Sequence, residues 1–376
     1  MNTRNIIGLV LVTAALVSCR GTTPGSTNGD QDFTLTAQPS ELGIGASHVG
    51  TTSIRITRPG NATGAVKLTF EGAVAGTGAD HISGAFGPQT GGTSVLTVTV
   101  GAHVSAGTYP VTVRGTNGAL TKTTGMQVKV EKWLLVDADR SANNAAPQDN
   151  SKPLSTLDTT MRAALVGKAF DVFVVKAGRI ATDVPAINGP NADTLSKYSG
   201  VVWYTGNQWD QPPTRDDVNA MTSYLAGTDH KLIVQSAAFV QNLDGTGNVF
   251  QETDQNTDKN TAQKAFLRDQ FGIAGYTFQY RRDGPSVQPV DGTVTQGMGA
   301  LQLTNPASTA AFKRREDADG HPLLTVEVNQ NVRGAVALEK TGLGNKGSSA
   351  AVYLGFSPDE VGTGDSAGLL SRLLRE

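Results

Sequence analysis

Two aspartates follow an apolar run at a spacing that can place both carboxylates on one side of a strand. Asp137 and Asp139 come directly after Trp133–Val136, with one residue between them. Side chains two residues apart in a strand point to the same face. Carboxylate oxygens, with an amide oxygen of Asn143 or Asn144, suit Ca²⁺, which takes about six to eight oxygen ligands. The two aspartates are therefore candidate calcium ligands, and the alternative is that they cap a loop by accepting backbone hydrogen bonds.

Other polar residues come after neighbouring apolar runs in the same part of the chain. Three of them follow the run 201–204, and a serine lies just beyond the run 232–234. In an open parallel sheet, ligands bind beyond the carboxyl ends of the strands. We therefore expect one ligand crevice at this edge. The residues predicted to line it are Asp137, Asp139, Thr205, Gly206, Asn207 and Ser236.

The sequence does not supply a convincing catalytic pair for this crevice. Ser236 would need a histidine base to act as a nucleophile. His230 precedes the run that Ser236 follows, so it is expected at the opposite end of that strand, and His321 falls in a predicted hairpin. The only cysteine is Cys19, outside the predicted domains. We assign no catalytic residue and favour a protein that is not an enzyme.

The N-terminal residues have the parts of a bacterial export signal. Arg4 gives a positive start, and the apolar stretch 6–17 is too short for an ordinary membrane-spanning helix. The segment LVSC, which ends at Cys19, resembles the lipobox of bacterial lipoproteins. The resemblance implies a signal peptide over 1–18, cleavage after Ser18, and a lipid thioether on Cys19 with a further acyl group such as palmitate. Two or more acyl chains anchor a protein stably to a membrane.

The residues after the predicted cleavage site form a flexible tether. Residues 19–31 are rich in Gly, Ser, Thr and Pro. The lipobox resemblance implies an extracytoplasmic protein that is lipid-anchored to the cell membrane or the outer membrane. Arg20, and not Asp, follows Cys19. In bacteria with two membranes, that pattern favours the outer one.

Composition and strand patterning predict an all-β first domain. The 376 residues suggest two domains, and the net charge of −2 comes without a basic block, which argues against nucleic-acid binding. Residues 32–131 alternate apolar and polar side chains in about seven short segments, the size of an immunoglobulin-like sandwich. The stretch Ala106–Gly115 resembles the penultimate strand of bacterial Ig-like surface domains, with the Tyr109 hydroxyl tied to backbone near the turn.

Residues 132–376 change to apolar runs that alternate with segments of helical spacing. Leu157, Met161 and Leu165 recur at helical spacing, and Thr214 with Asp217 form a predicted capping box. This order predicts an α/β domain with a parallel sheet and helices on both faces. The stretch of about 277–340 is rich in strand patterns and is interpreted as an added β segment.

Several stretches of this second domain carry a family resemblance. They resemble a flavodoxin-like, class I glutamine-amidotransferase-like domain found beside secreted bacterial peptidases and in envelope proteins. Enzymes of that type place a catalytic cysteine on a sharp turn after a strand, and here the turn holds Ser236, so the resemblance implies a domain without that cysteine. The matching stretches are LLVDADR (134–140), YSGVVWYTGNQW (198–209), DVNAMTSYLAG (217–227), KLIVQSAAF (231–239), FLRDQFGI (266–273) and VYLGFSPDE (352–360).

These features together favour a cell-envelope lipoprotein that binds or scaffolds without catalysis. Its partners would be the membrane, through the lipid on Cys19, and an envelope protein or a glycan. The alternative is an envelope hydrolase that acts on glycan or peptide through the Asp137/Asp139 crevice, with a metal ion assisting. A third hypothesis is a purely structural role in surface-layer or envelope assembly.

Overall fold

The computed structural model describes most of the chain after the predicted tether. Of the described residues, 47% lie in strands and 20% in helices. Among the described residues, no helix is long and apolar enough to cross a lipid bilayer. Cys19, Asn143 and Asn207 lie outside the described residues. The described segments are 32–60, 64–72, 74–141, 144, 151–175, 189–206, 213–237, 239–240, 261–279, 286–303, 310–314, 320–329, 332–361 and 363–375.

Two four-stranded sheets form the first part of the fold. Their strands are β1 (Thr34–Gln38), β2 (Glu41–Gly45), β3 (Val49–Thr57), β4 (Lys67–Gly72), β5 (Ile82–Phe86), β6 (Thr93–Val100), β7 (Gly107–Asn117) and β8 (Leu120–Glu131). The strand orders are β1-β3-β6-β5 and β2-β8-β7-β4. Alternate apolar residues such as Ile54, Leu96 and Val113 are fully buried in their shared core. The Tyr109 hydroxyl donates to the Ser105 carbonyl at 2.9 Å, which confirms the contact expected at this corner.

An eleven-stranded sheet contains the remaining strands. They are β9 (Trp133–Asp137), β10 (Phe170–Val174), β11 (Gly200–Tyr204), β12 (Lys231–Gln235), β13 (Ile273–Gln279), β14 (Ser286–Pro289), β15 (Leu301–Gln302), β16 (Ala310–Arg314), β17 (Gly320–Asn329), β18 (Val332–Leu343) and β19 (Ser349–Leu354). Parallel pairing joins β10-β9-β11-β12-β19 in that order. Antiparallel pairing continues through β18, β17, β14 and β15, and β16 joins β13 to β18.

The helices pack their apolar residues against this sheet. They are α1 (Thr156–Ala164), α2 (Ala192–Leu195), α3 (Arg215–Leu225), α4 (Thr261–Phe271) and α5 (Thr363–Leu373). Thr214 and Asp217 form the capping box of α3 that the sequence predicts. Buried residues of α3 and α4 share a core with Trp203 of β11, whereas those of α1 and α5 share a core with Tyr204. Because adjacent strand residues point to opposite faces, β11 is buried on both sides.

The flavodoxin-like fold class predicted for 132–376 is wrong. The described chain is mostly β, and of the eleven strands only five are joined by parallel pairs, whereas the other six pair only antiparallel. The physical reason is that hydrophobic spacing predicts the type of an element but not the strand with which it pairs. The long strands β17 and β18 pair with each other, and β18 pairs with β19. The β-rich stretch therefore continues the main sheet as a large antiparallel part.

The turn between β18 and β19 holds this antiparallel part against α3. The backbone N–H of Asn345 donates to the carbonyls of Ala226 and Gly227 just beyond α3, at 3.0 and 3.1 Å. Gly344 has a φ of +73°, and a Cβ there would lie 2.2 Å from the Gly227 carbonyl oxygen. Only glycine fits this position, because both the backbone conformation and the close approach exclude a side chain.

Gly344→Ala is expected to destabilise the protein far more than Gly342→Ala. Gly342 also has a positive φ, of +75°, but a Cβ there would meet no atom within 4 Å. The control should therefore lose about 1 kcal/mol from backbone strain alone. Gly344→Ala should lose at least about 2 kcal/mol more, because backbone atoms must move. Urea denaturation measures both losses, and equal values would contradict the close contact between this turn and the end of α3.

Candidate functional site

Three neighbouring parallel strands end in one row of polar residues. Asp137 at the end of β9 is in register with Tyr204 of β11, and Tyr204 is in register with Gln235 of β12. The carboxyl ends of these strands thus bring together residues that are far apart in the sequence. This is the edge at which ligands bind in parallel sheets.

A third aspartate, Asp158, joins Asp137 and Asp139 at this edge. One carboxylate oxygen from each residue lies within 4.8 Å of those of the other two, and all three residues are buried. Asp158 reaches this position because it forms a capping box with Ser155 at the start of α1. We call Asp137, Asp139 and Asp158 the aspartate cluster. Three negative charges this close repel one another strongly unless a proton or a cation neutralises them.

Hydrogen bonds from backbone N–H groups and side-chain hydroxyls satisfy two members of the aspartate cluster. Asp139 accepts from the Ser155 hydroxyl at 2.7 Å and from the Ser141 backbone N–H at 2.9 Å. Asp158 accepts from the Tyr204 hydroxyl at 2.6 Å and from the Ser155 backbone N–H at 2.9 Å. Burial raises the pKa of Tyr204, and the nearby carboxylates raise it further, so its hydroxyl remains a donor. The loop-capping alternative that the sequence left open for Asp137 and Asp139 therefore holds for Asp139, which accepts from the Ser141 backbone N–H.

Asp137 has a different environment from the other two aspartates. Its Oδ1 accepts from Asn144 Nδ2 at 2.9 Å and from the Asp139 backbone N–H at 3.4 Å. Its Oδ2 is buried and has no hydrogen-bond partner among the described residues. The pKa of Asp137 is raised to about 7, chiefly by burial; the Asn144 hydrogen bond opposes the shift, and the charges of Asp139 and Asp158 add to it. Asp137 is thus the member of the cluster that most needs a proton or a cation.

The structure brings part of the remaining predicted crevice to the same edge. The Thr205 hydroxyl donates to the Ser236 hydroxyl at 2.6 Å, and both residues are buried. The Gly206 N–H donates to the Gln235 side-chain oxygen at 3.0 Å. A Cβ at Gly206 would lie 3.8 Å from that of Asp139, so this loop passes directly beside the aspartate cluster. Asn207, the last predicted crevice residue, lies outside the described residues.

None of the five histidines is placed to serve as a base for Ser236. His230 and Ser236 lie at opposite ends of β12, about 20 Å apart at the usual rise of a strand. His321 on β17 is in register with Glu339 on β18, and Glu339 is in register through β19 with Ile233 on β12. His321 is therefore three strands, or about 14 Å, away from β12. The other three, at positions 48, 81 and 103, lie in residues 32–131, which contain the two four-stranded sheets and which we call the Ig-like part. The hydroxyl of Ser236 therefore acts as a structural hydrogen-bond partner in this arrangement.

Asp158 and Tyr204 belong to the site but are not among the residues predicted from the sequence. A readable signal existed for Asp158, because Ser155-x-x-Asp158 before an apolar helical pattern is a capping box. That signal predicts a helix start but not the neighbouring carboxylates. Tyr204 ends an apolar run, and nothing in the sequence shows that its hydroxyl faces Asp158.

Comparisons with known proteins give no assignment to a family. No protein-family model and no curated protein matches the chain. Domains 4 and 5 of the S-layer protein SbsC are 13% identical, and the match covers 26% of this chain and 50% of that structure with a TM-score of 0.20. The M1 domain from titin is 11% identical over 26% of this chain and 94% of its own length, with a TM-score of 0.19.

A third solved structure with similarity to part of the chain is an enzyme. The endo-β-1,4-mannanase from Thermotoga petrophila is 10% identical over 27% of this chain and 20% of that one, with a TM-score of 0.19. This chain spans half or less of the S-layer structures that it matches. The β-rich fold thus resembles Ig-like domains of titin and S-layer proteins weakly, and these matches carry no argument about function.

In metal-free solution, the free energy of unfolding is expected to fall as the pH rises from about 4 to about 7. The unfolded chain releases the Asp137 proton near pH 3.8, whereas the folded chain keeps it until about 7. The folded state therefore binds the extra proton between these values, and it loses about 2 to 4 kcal/mol of stability as the pH rises through them.

Asp137→Asn tests this pH dependence, because the amide cannot ionise. Urea unfolding in EDTA across this pH range should show a much flatter profile for Asp137→Asn than for the wild-type chain. Asp291→Asn, the same change at an exposed position, is the matched control and should keep the wild-type profile. A slope in Asp137→Asn equal to that of the wild type would contradict the environment described for Asp137.

Proposed function

We propose that this protein is a lipid-anchored binding or scaffold protein of a bacterial cell envelope, attached to its membrane through Cys19. One observation carries the proposal, namely the segment LVSC that closes the apolar stretch 6–17 after Arg4. Acyl groups on Cys19 would hold the chain at the membrane by burying their CH₂ groups. Residues 20–31, which include three Gly and three Thr, would then serve as the tether between the lipid and the folded chain.

The junction between the Ig-like part and the eleven-stranded sheet supports a scaffold role. A single residue, Lys132, separates β8 from β9. Its ammonium group pairs with Asp171 at 2.7 Å and donates to the Ala102 carbonyl at 3.1 Å. The Ala106 N–H also donates to the Lys197 carbonyl at 2.9 Å. These bonds across a one-residue linker favour a fixed arrangement, which suits a protein that presents a binding surface to an envelope protein or a glycan.

The burial of the aspartate cluster argues against hydrolysis of a glycan or peptide by these carboxylates. Asp137 is 0% exposed and Asp139 is 7% exposed, so a glycan or peptide chain does not reach their carboxylates in the described conformation.

The alternative function, an envelope hydrolase acting through the Asp137/Asp139 crevice, is favoured by the Asp137 pKa of about 7, which suits a general acid. Turnover of a glycan or peptide by the purified chain, lost in Asp137→Asn, would establish that alternative.

Cys19→Ser is expected to abolish lipid attachment and to release the chain from the membrane. A serine hydroxyl cannot form the thioether, so neither a palmitate analogue nor membrane association should remain. Ser18→Ala is the matched control, because a small residue still precedes Cys19 and processing should continue. Metabolic labelling and membrane fractionation of cells that express each full chain make the measurement. Labelling that persists in Cys19→Ser would refute the anchor.

A further inference from the structure

Hydrogen bonds to backbone and hydroxyl donors account for Asp139 and Asp158 but leave one oxygen of Asp137 without a partner among the described residues. Asp139 and Asp158 each accept a hydrogen bond from a backbone N–H and another from a side-chain hydroxyl. Asp137 Oδ2 is buried and has no hydrogen-bond partner among the described residues. An unpaired, buried oxygen of an acidic group is strongly unfavourable unless it meets a proton or a cation.

A second buried oxygen at the same place also lacks a partner. Asn144 is fully buried, and its Nδ2 lies 2.9 Å from Asp137 Oδ1 and 3.3 Å from Asp139 Oδ1. Its own Oδ1 has no hydrogen-bond partner in the described part of the chain. A flip of the Asn144 side-chain amide exchanges the positions of its oxygen and nitrogen atoms. That rotation would turn Oδ1 toward both carboxylates, which is favourable only with a cation or a carboxyl proton between them.

We propose that Asp137, Asp139 and Asp158, with the amide oxygen of Asn144, form a binding site for one Ca²⁺. Calcium lies about 2.3–2.6 Å from its ligands, so two oxygens on opposite sides of it are about 5 Å apart. One oxygen from each aspartate lies within 4.8 Å of the others, so all three can reach a single ion with little movement. The ion gives Asp137 Oδ2 a partner and offsets two of the three negative charges.

The ligand types favour calcium over zinc and magnesium. The cluster offers only oxygen atoms, whereas zinc sites are built chiefly from cysteine sulfur and histidine nitrogen. Magnesium usually keeps several waters and takes one or two carboxylates, whereas calcium accepts a cage of protein oxygens. Three buried carboxylates and a buried amide match the calcium pattern. The Ser155 hydroxyl, which donates to Asp139 at 2.7 Å, would hold that ligand in orientation.

Calcium titration of the full-length chain, purified in detergent and stripped with EDTA, tests the proposal. Thermal melts measure stabilisation, and Tb³⁺ luminescence excited through aromatic side chains reports direct occupancy of the site. Tyr204 can transfer excitation, because its hydroxyl lies 2.6 Å from Asp158. We expect Ca²⁺ to displace Tb³⁺ and to raise Tm by about 5 °C or more when it is about a hundredfold above Kd. Asp137→Asn should lose both responses, and exposed Asp291→Asn should keep them.

Several outcomes would overturn the calcium site. These are a wild-type chain with no Tm shift and no Tb³⁺ luminescence, equal responses in Asp137→Asn, or a response to Mg²⁺ but none to Ca²⁺. Asparagine has the shape of a protonated aspartate, so Asp137→Asn is expected to fold, and its melt in EDTA reports whether it does. If it does not, Asn144→Leu replaces it and should weaken Ca²⁺ binding at least tenfold, whereas unchanged binding would count against the site.

The calcium site goes beyond the proposed envelope function and does not depend on the lipid anchor. Cys19→Ser should keep the full calcium response, because residue 19 precedes every described strand. Loss of the anchor and loss of the calcium response are therefore separate results. A Cys19→Ser chain that folds normally but no longer responds to Ca²⁺ would contradict the assignment of the ion to the aspartate cluster.

Discussion

Burial of three carboxylates between the end of β9 and the start of α1 is the constraint that organises this edge of the sheet. Two hydrogen bonds cross the gap in opposite directions: Ser155 donates to Asp139, and Tyr204 donates to Asp158. They fix the start of α1 over the ends of β9 and β11. The same contacts hold Asp137 close to two like charges in a place without solvent. The arrangement therefore needs positive charge at Asp137, supplied by a proton in metal-free solution or by calcium.

The rest of the sheet supports this edge through its strand ends. The Gln235 side chain accepts from the Gly206 N–H and donates to the Phe356 carbonyl, so it ties the loop after β11 to the segment after β19. The Tyr353 hydroxyl donates to the Ser236 carbonyl at 2.7 Å. Ser236, which the sequence placed in the crevice, therefore lies in a structural network. The antiparallel strands matter here because β18 pairs with β19 and so holds this segment in place.

Local signals in the sequence predicted elements well, whereas pairing and long-range contacts were beyond their reach. The capping box at Thr214 and the helix at 261–271 were readable because each depends on residues within about one to three turns. The position of Asp137 and Asp139 at the carboxyl ends of the parallel strands followed from the end of an apolar run. Asp158 was missed, because its approach to Asp137 depends on how α1 packs. The flavodoxin-like fold class failed for a similar reason, since apolar spacing does not show that β18 pairs with β19.

A crystal structure of the protein grown with Ca²⁺ tests the central claim most directly. We predict a single strong anomalous peak at the aspartate cluster, about 2.3–2.6 Å from Asp137 Oδ2 and from one oxygen of each of its partners. The Asn144 amide should then present its oxygen to the ion. A cluster that contains no ion at saturating calcium, with Asp137 hydrogen-bonded to another carboxylate through a proton, would contradict the account.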